Sequence, residues 1–254
     1  MAKFIGDYHI HSNYSDGKAT IDEIVVAAKR KGLREIAITD HGPKNLVGKL
    51  KSLEKILEIS WKIQGINATM EGFKVLSGVE ANIIDEDGQI DVPPEIYEKL
   101  DILLIGLHPF VRTDSLGGFW NLVLKNQGKR FFNIGNSQVI DFNTKALIGA
   151  CIKYKPFAIS HPGLGMPIDI SEVAKVCAQN GVAYEINCGH LFQTPEELKI
   201  AAREGVDFVI NSDAHFIEAV GDLEAGLKLA MKAGIEKEKI KNLANQETSV
   251  TIER

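Results

Sequence analysis

The chain has 254 residues, enough for one barrel-sized domain or two small ones, and its 44% hydrophobic and 25% charged content is that of an ordinary globular protein. A formal net charge of -5 argues against general affinity for nucleic acid or anionic membrane, which reward excess Lys and Arg. The longest apolar run, Ile102 to Leu107, falls far short of the roughly 20 residues that a bilayer requires.

Strand-like and helix-like segments alternate along the chain. Phe4 to His11 reads as a strand, and a helix opens at Thr20, where Thr20 and Glu23 have capping-box spacing. Ile21, Ile24, Val25 and Ala28 give that helix one apolar face, and Gly32 stops it. A strand over Glu35 to Asp40, a helix near Leu50 to Gln64 and a strand over Lys74 to Ala81 follow. Asp87-Gly88 marks a hairpin-like turn, and Pro94 opens a short helix. After the strand Ile102 to Leu107 comes a long irregular stretch, then a helix around Lys145 to Lys153. The alternation continues with strand Phe157 to Ser160, helix Ser171 to Gln179 and strand Val182 to Asn187. Thr194-Pro195-Glu196-Glu197 starts another helix, with Thr as cap and Pro at the first position. Strand Asp207 to Asn211 and a helix from Leu223 to Lys232 end the series.

Strands followed by helices imply a parallel sheet covered by helices. That number of units fits a seven-stranded (β/α) barrel of TIM type better than an open sheet. No Pro-, Gly- or Ser-rich tract divides the chain, so a single domain over residues 1–254 is expected. The start of the sequence lacks the basic and apolar regions of a signal peptide, and Cys151, Cys177 and Cys188 form no CxxC pair. A cytoplasmic protein with reduced thiols is expected, Cys151 and Cys177 lying on the core faces of helices.

The chemistry lies at the strand ends. His9 and His11 close the first strand, Asp40-His41 the second, Glu80 the third, His108 the fourth and His161 the fifth. His190 lies past the sixth, and Asp213 and His215 follow the seventh, so all 7 histidines fall at or beyond the C-terminal end of a strand. In a parallel barrel those ends share one face, where active sites form. Residues two apart on a strand project from the same side, as His9 and His11 do. Imidazole with carboxylate suits zinc, manganese or iron, and so many candidate ligands exceed what one ion can use. His190, furthest past its strand and after Gly189, reads by itself as a hydrogen-bonded surface residue.

Asp7-Tyr8-His9-Ile10-His11, Ser15-Asp16-Gly17, Thr39-Asp40-His41, Gly78-Val79-Glu80, Ser160-His161-Pro162 and Ser212-Asp213-Ala214-His215 resemble the motifs of the PHP (polymerase and histidinol phosphatase) family. The resemblance implies a distorted seven-stranded barrel with a trinuclear centre of divalent ions. It assigns one ion to His9, His11, Glu80 and Asp213. Glu80 would bridge to a second ion on His108 and His161, and a third would take Asp16, His41 and His215. Some family members place a histidine where this chain has Asp16, and a carboxylate there favours a harder cation. Three divalent ions against the carboxylates of Glu80, Asp16 and Asp213 leave a positive surplus that hydroxide and phosphate would neutralise. Glu80, Asp213 and His215 are the expected catalytic residues, and Asp40 and Asp7 are expected to orient ligating imidazoles, with strand-end hydrogen bonding without a metal role as the alternative for Asp7.

The implied activity is hydrolysis of a small phosphomonoester by metal-activated hydroxide. Arg112, in the long stretch after the fourth strand, is the expected phosphate-binding residue, with Lys129 and Arg130 as weaker candidates. Gly117-Gly118-Phe119-Trp120 in the same stretch would let it close over a bound organic group, the alternative being a surface insertion with its own small core. The alternatives are a family exonuclease or phosphodiesterase acting on nucleic acid, an amidohydrolase-type barrel, and a metal-bearing scaffold without activity. No strand ends in the lysine that an amidohydrolase usually uses, and no Walker A, GxGxxG, GxSxG or HExxH motif is present.

Overall fold

The computed structural model describes residues 3–48, 50, 52–113, 126 and 136–244. Seven parallel strands lie side by side in sequence order. They are β1 (Gly6–Asp7), β2 (Glu35–Ile38), β3 (Lys74–Asn82), β4 (Ile102–Gly106), β5 (Ala158–Ile159), β6 (Ala183–Asn187) and β7 (Phe208–Asn211). Helices α1 (Ile21–Arg30), α2 (Leu53–Ala68), α3 (Pro94–Tyr97), α4 (Asn136–Tyr154), α5 (Ile170–Asn180), α6 (Pro195–Arg203) and α7 (Glu224–Lys232) follow β1 to β7 in turn. The result is the expected nearly closed (β/α) barrel.

Two apolar layers hold it. Tyr8, Ala37, Leu76, Leu104, Ala158, Ala183 and Val209 plug the narrow interior. Alternate residues on the same strands, such as Ile36, Ile105, Tyr184 and Ile210, face the helices. Burying each of the larger of these side chains contributes roughly 1.5–3 kcal/mol. Further up the interior the strands switch to Glu80, Asn82, Glu185, Asn187 and Asn211, all fully buried. Such polar burial is stable only with partners.

Closure between β7 and β1 is made largely by side chains. At the C-terminal end the backbones meet directly, with Ile10 paired to Ala214 and the His11 N–H donating to the Ala214 carbonyl at 2.9 Å. Lower down, the Tyr8 N–H donates to Asn211 Oδ1 at 3.0 Å. Asn242 wedges between the strands: its amide donates to the Gly6 and Ile210 carbonyls, and its Oδ1 accepts the Ile210 N–H at 3.1 Å. A backbone ladder is thus replaced by amide side chains, leaving β1 much shorter than the expected Phe4 to His11.

The capping boxes at Thr20/Glu23 and Thr194/Glu197 form as their spacing predicts. α4 begins at Asn136, well before the expected Lys145. Val139, Asn143, Ala146, Leu147, Ala150 and Cys151 lie on its buried face, and the earlier of these positions were masked by the surrounding polar residues. Gly149 lets the Asp87-Gly88 turn dock on this helix, since a Cβ at 149 would stand 2.8 Å from the Asp87 carbonyl oxygen. Cys151 and Cys177 are buried free thiols with sulfurs 3.6 Å apart, where α4 packs on α5. Among the described residues no helix is long and apolar enough to cross a membrane. Gly117 to Trp120, Lys129 and Arg130 lie outside the described residues.

Candidate metal centre

His9, His11, Asp16, His41, Glu80, His108, His161, Asp213 and His215 converge at the C-terminal mouth of the barrel. Glu80 stands at the centre. Its Oε1 lies 2.8 Å from His161 Nε2 and 3.3 Å from His108 Nε2, and it accepts from the Ser160 hydroxyl at 2.6 Å. Its Oε2 faces the other way, 2.7 Å from His41 Nδ1, 3.4 Å from His9 Nε2 and 3.7 Å from His11 Nε2. Asp213 Oδ1 sits 3.2 Å from His11 Nε2 and 3.5 Å from His9 Nε2. Asp16 Oδ2 lies 3.2 Å from His215 Nε2 and 3.6 Å from His41 Nε2.

Three groups of these side chains could each hold a cation with ligand atoms mutually within 4.8 Å: His11, Asp16, His41 and His215; His9, His11 and Glu80; and His41, Glu80 and His108. The expected third set is therefore together, with His11 added to it. His11, His41 and Glu80 each belong to two of the groups.

The local backbone is built for this crowding. A Cβ at Gly106 would come within 2.5 Å of Ser160 Oγ, 2.9 Å of His108 and 3.1 Å of Glu80 Oε1, so only glycine leaves room. His161 and Asp213 adopt positive φ, 28° and 51°, which turns their side chains inward at the strand ends. The Asp7 and Asp40 carboxylates bond serines rather than imidazoles, which corrects the expectation for Asp40 and matches the hydrogen-bonding alternative for Asp7. The Asp40 carboxylate accepts from the backbone and hydroxyl of Ser12 at 2.8 and 2.6 Å, and Asp7 accepts likewise from Ser212 at 3.1 and 2.5 Å. They clamp neighbouring loops so that the ligand-bearing turns hold their shape.

Charges are strongly interdependent. Burial opposes ionisation of Glu80, yet His108, His9, His41 and His161 around it hold its carboxyl well below the usual range. Asp213 is likewise held down against burial, chiefly by His9 and His11. Burial also disfavours a charged His41, but Glu80 and Asp16 outweigh it and push the ring up to about 10. His11 goes the other way, to about 3, through burial and the cationic His41 beside it.

Hydrogen bonding is incomplete where it matters. His11 Nδ1, His41 Nδ1, Glu80 Oε2, both ring nitrogens of His108 and His161 Nδ1 are buried without a hydrogen-bond partner. Buried polar atoms are nearly always satisfied, so this many orphans in one cluster fit a set of donors arranged for cations.

His190 lies on the rim, half exposed, with Nε2 3.5 Å from Asp213 Oδ2. Arg112 is exposed on the loop after β4, where its N–H donates to the Lys44 carbonyl at 2.8 Å beside the paired Asn45 and Val111. That ladder joins the loops following His41 and His108. Sequence reading missed Glu185 and Asn187 on β6. Glu185 is 0% exposed and 2.8 Å from His9 Nδ1. A lone carboxylate within the apolar run Val182 to Ile186 was the available signal, because such a charge is buried only with partners.

Known proteins resemble this chain in sequence and in fold. The chain is 34% identical over 261 residues to a probable phosphatase of Thermoanaerobacter sp. (strain X514), covering 94% of this chain and 91% of the relative. It is 30% identical over 244 residues to the DNA polymerase/3'-5' exonuclease PolX of Bacillus subtilis (strain 168), covering 95% of this chain but 40% of that longer protein. In fold it is similar to the histidinol phosphate phosphatase of Lactococcus lactis, solved with zinc, L-histidinol and phosphate (TM-score 0.60, 17% identity, 91% and 94% of the two chains). The PHP domain profile matches residues 7–248, from β1 to beyond the last helix, and the chain belongs to that family.

Proposed function

We propose that this protein hydrolyses a small phosphomonoester at a cluster of about two to three divalent ions, zinc, manganese or iron. The observation that carries the reading is the group of buried, orphaned imidazole and carboxylate atoms around Glu80. In the proposed assignment His9, His11, Glu80 and Asp213 hold one ion, Glu80, His108 and His161 a second, and Asp16, His41 and His215 a third. Bound ions would supply Lewis-acid activation of water and neutralise phosphate charge.

The chain's own residues do the rest. Glu80 Oε1 faces His108 and His161 and Oε2 faces His41, His9 and His11, so the two oxygens would be available to two different ions. The Nδ1–H of His215 donates to the Asp213 carbonyl at 2.9 Å, which aims its Nε2 at Asp16 and ties two candidate catalytic residues to one turn. His9 and Glu80 are fully buried, so charge beside them is met by fixed groups rather than by bulk water. Arg112, on the loop joined to that of His41, is proposed to grip the phosphate with two hydrogen bonds. Similarity to a probable phosphatase along nearly its whole length supports a hydrolase of this kind. Similarity to PolX supports a second reading, exonucleolytic cleavage of nucleic acid, against which stands the net charge of -5.

A screen of the metal-loaded protein against phosphomonoesters, phosphodiesters and single-stranded DNA separates them. Turnover of a small monoester is expected. Degradation of DNA with no monoester turned over would replace this reading with the nuclease, and inactivity toward all three classes would favour a scaffold.

A further inference from the structure

Behind the ligand cluster, on the side away from the mouth, four donors meet one carboxylate. His9 Nδ1 lies 2.8 Å from Glu185 Oε1, and Asn211 Nδ2 donates to the same oxygen at 2.8 Å. The His161 N–H donates to Oε2 at 2.6 Å, and Asn187 Nδ2 donates to it at 3.1 Å. Asn187 Nδ2 also reaches Asp213 Oδ2 at 3.0 Å. Every group involved is fully or almost fully buried.

We infer that Glu185 is the positioning residue of the metal centre, fixing the tautomer of His9 and the backbone of His161. A carboxylate only accepts, so the hydrogen between it and His9 belongs on Nδ1. That leaves the Nε2 lone pair directed at Glu80 and Asp213, the direction a cation requires. The other oxygen holds the His161 N–H in a conformation, φ 28°, that L-residues rarely adopt. One side chain on β6 thus sets two candidate ligands on β1 and β5. Glutamine cannot replace it: one acceptor oxygen remains and its amide would face further donors.

The inference rests on the proposed metal centre but not on the proposed substrate, and its test uses none. Zinc affinity of the 254-residue chain is measured by chelator competition for wild type and Glu185→Gln. Loss of outer-shell partners typically weakens metal binding about 10–100-fold, and a loss of that size is expected here. A folded variant with wild-type zinc affinity overturns the inference. The second readout is the tautomer of His9 in the zinc-loaded wild type, by two-bond proton–nitrogen NMR. A proton on Nδ1 is expected; a proton on Nε2 overturns the inference even if the variant fails to fold. A protein that binds zinc but turns over no phosphomonoester sinks the proposed substrate class and leaves Glu185's role intact.

Discussion

His41 Nδ1 and Glu80 Oε2 lie 2.7 Å apart at the ends of β2 and β3, a close contact between a buried imidazole and a buried carboxylate. With His11, His108 and His161 nearby carrying buried ring nitrogens that lack partners, this contact belongs to a concentration of donor atoms of the kind divalent ions take. Protein purified without chelator is therefore expected to carry about two to three transition-metal ions per chain by elemental analysis. Chelation should lower the unfolding temperature, because a ligand bound only by the folded state stabilises it. Metal content near zero that added zinc or manganese does not restore would sink the centre.

Glu80 and His190 should differ sharply. Glu80→Gln keeps the size of the central side chain but removes its charge, and is expected to abolish activity and lower metal content with the barrel still folded. His190→Ala removes a half-exposed ring on the rim and should cost much less. Equal losses in the two variants would break the proposed ligand assignment.

Proton release follows from the electrostatics. In the metal-free protein His41 is raised to about 10, and His9, His161 and His215 shift in the same direction. A raised folded-state value stabilises the metal-free fold below the ordinary histidine range, and that stability is lost as pH climbs through about 10 for His41. An entering cation must displace the same proton, so metal affinity should strengthen as pH rises over this window. Calorimetric titration in buffers of different ionisation enthalpy should register released protons; a heat independent of buffer would contradict the charge assignment.

The Asp7–Ser212 clamp joins β1 to the turn that carries Asp213. Asp7→Asn retains one acceptor and places an amide donor against the donors of Ser212 and Gly221, so it should lose about 1.5–3 kcal/mol of stability in denaturant unfolding. Burial raises the Asp7 carboxyl to about 6, against the pull of those same donors. Stability unchanged by the substitution would mean the clamp contributes nothing.

Arg112→Ala is expected to raise KM for a monoester by a factor equivalent to roughly 1.5–3 kcal/mol, the range for a hydrogen bond to a charged group. Metal content should not change. Unaltered KM would remove Arg112 from the phosphate site.

The alternation of strands and helices, the capping boxes and the histidines at strand ends are local properties, and local sequence suffices to read them. His9 and His11 are two apart, and Thr20 and Glu23 three apart, so backbone geometry by itself places them. Glu185 is different: a lone carboxylate in an apolar run marks it as buried, but its bond to His9 spans 176 positions and nothing near either residue names the partner. The same holds for Asn242, 236 positions from Gly6, whose amide closes the barrel where β1 runs out of ladder. Asp7 and Asp40 stand beside histidines in sequence, yet the fold turns them to serines on neighbouring loops, because a carboxylate at a strand end meets whatever donor the next strand presents. Residue types decided which chemistry could occur at the mouth of the barrel. The tertiary structure decided which carboxylates face the imidazole cluster and which hold the loops, since that depends on which strands become neighbours and on the few buried positions where a charge can find enough donors.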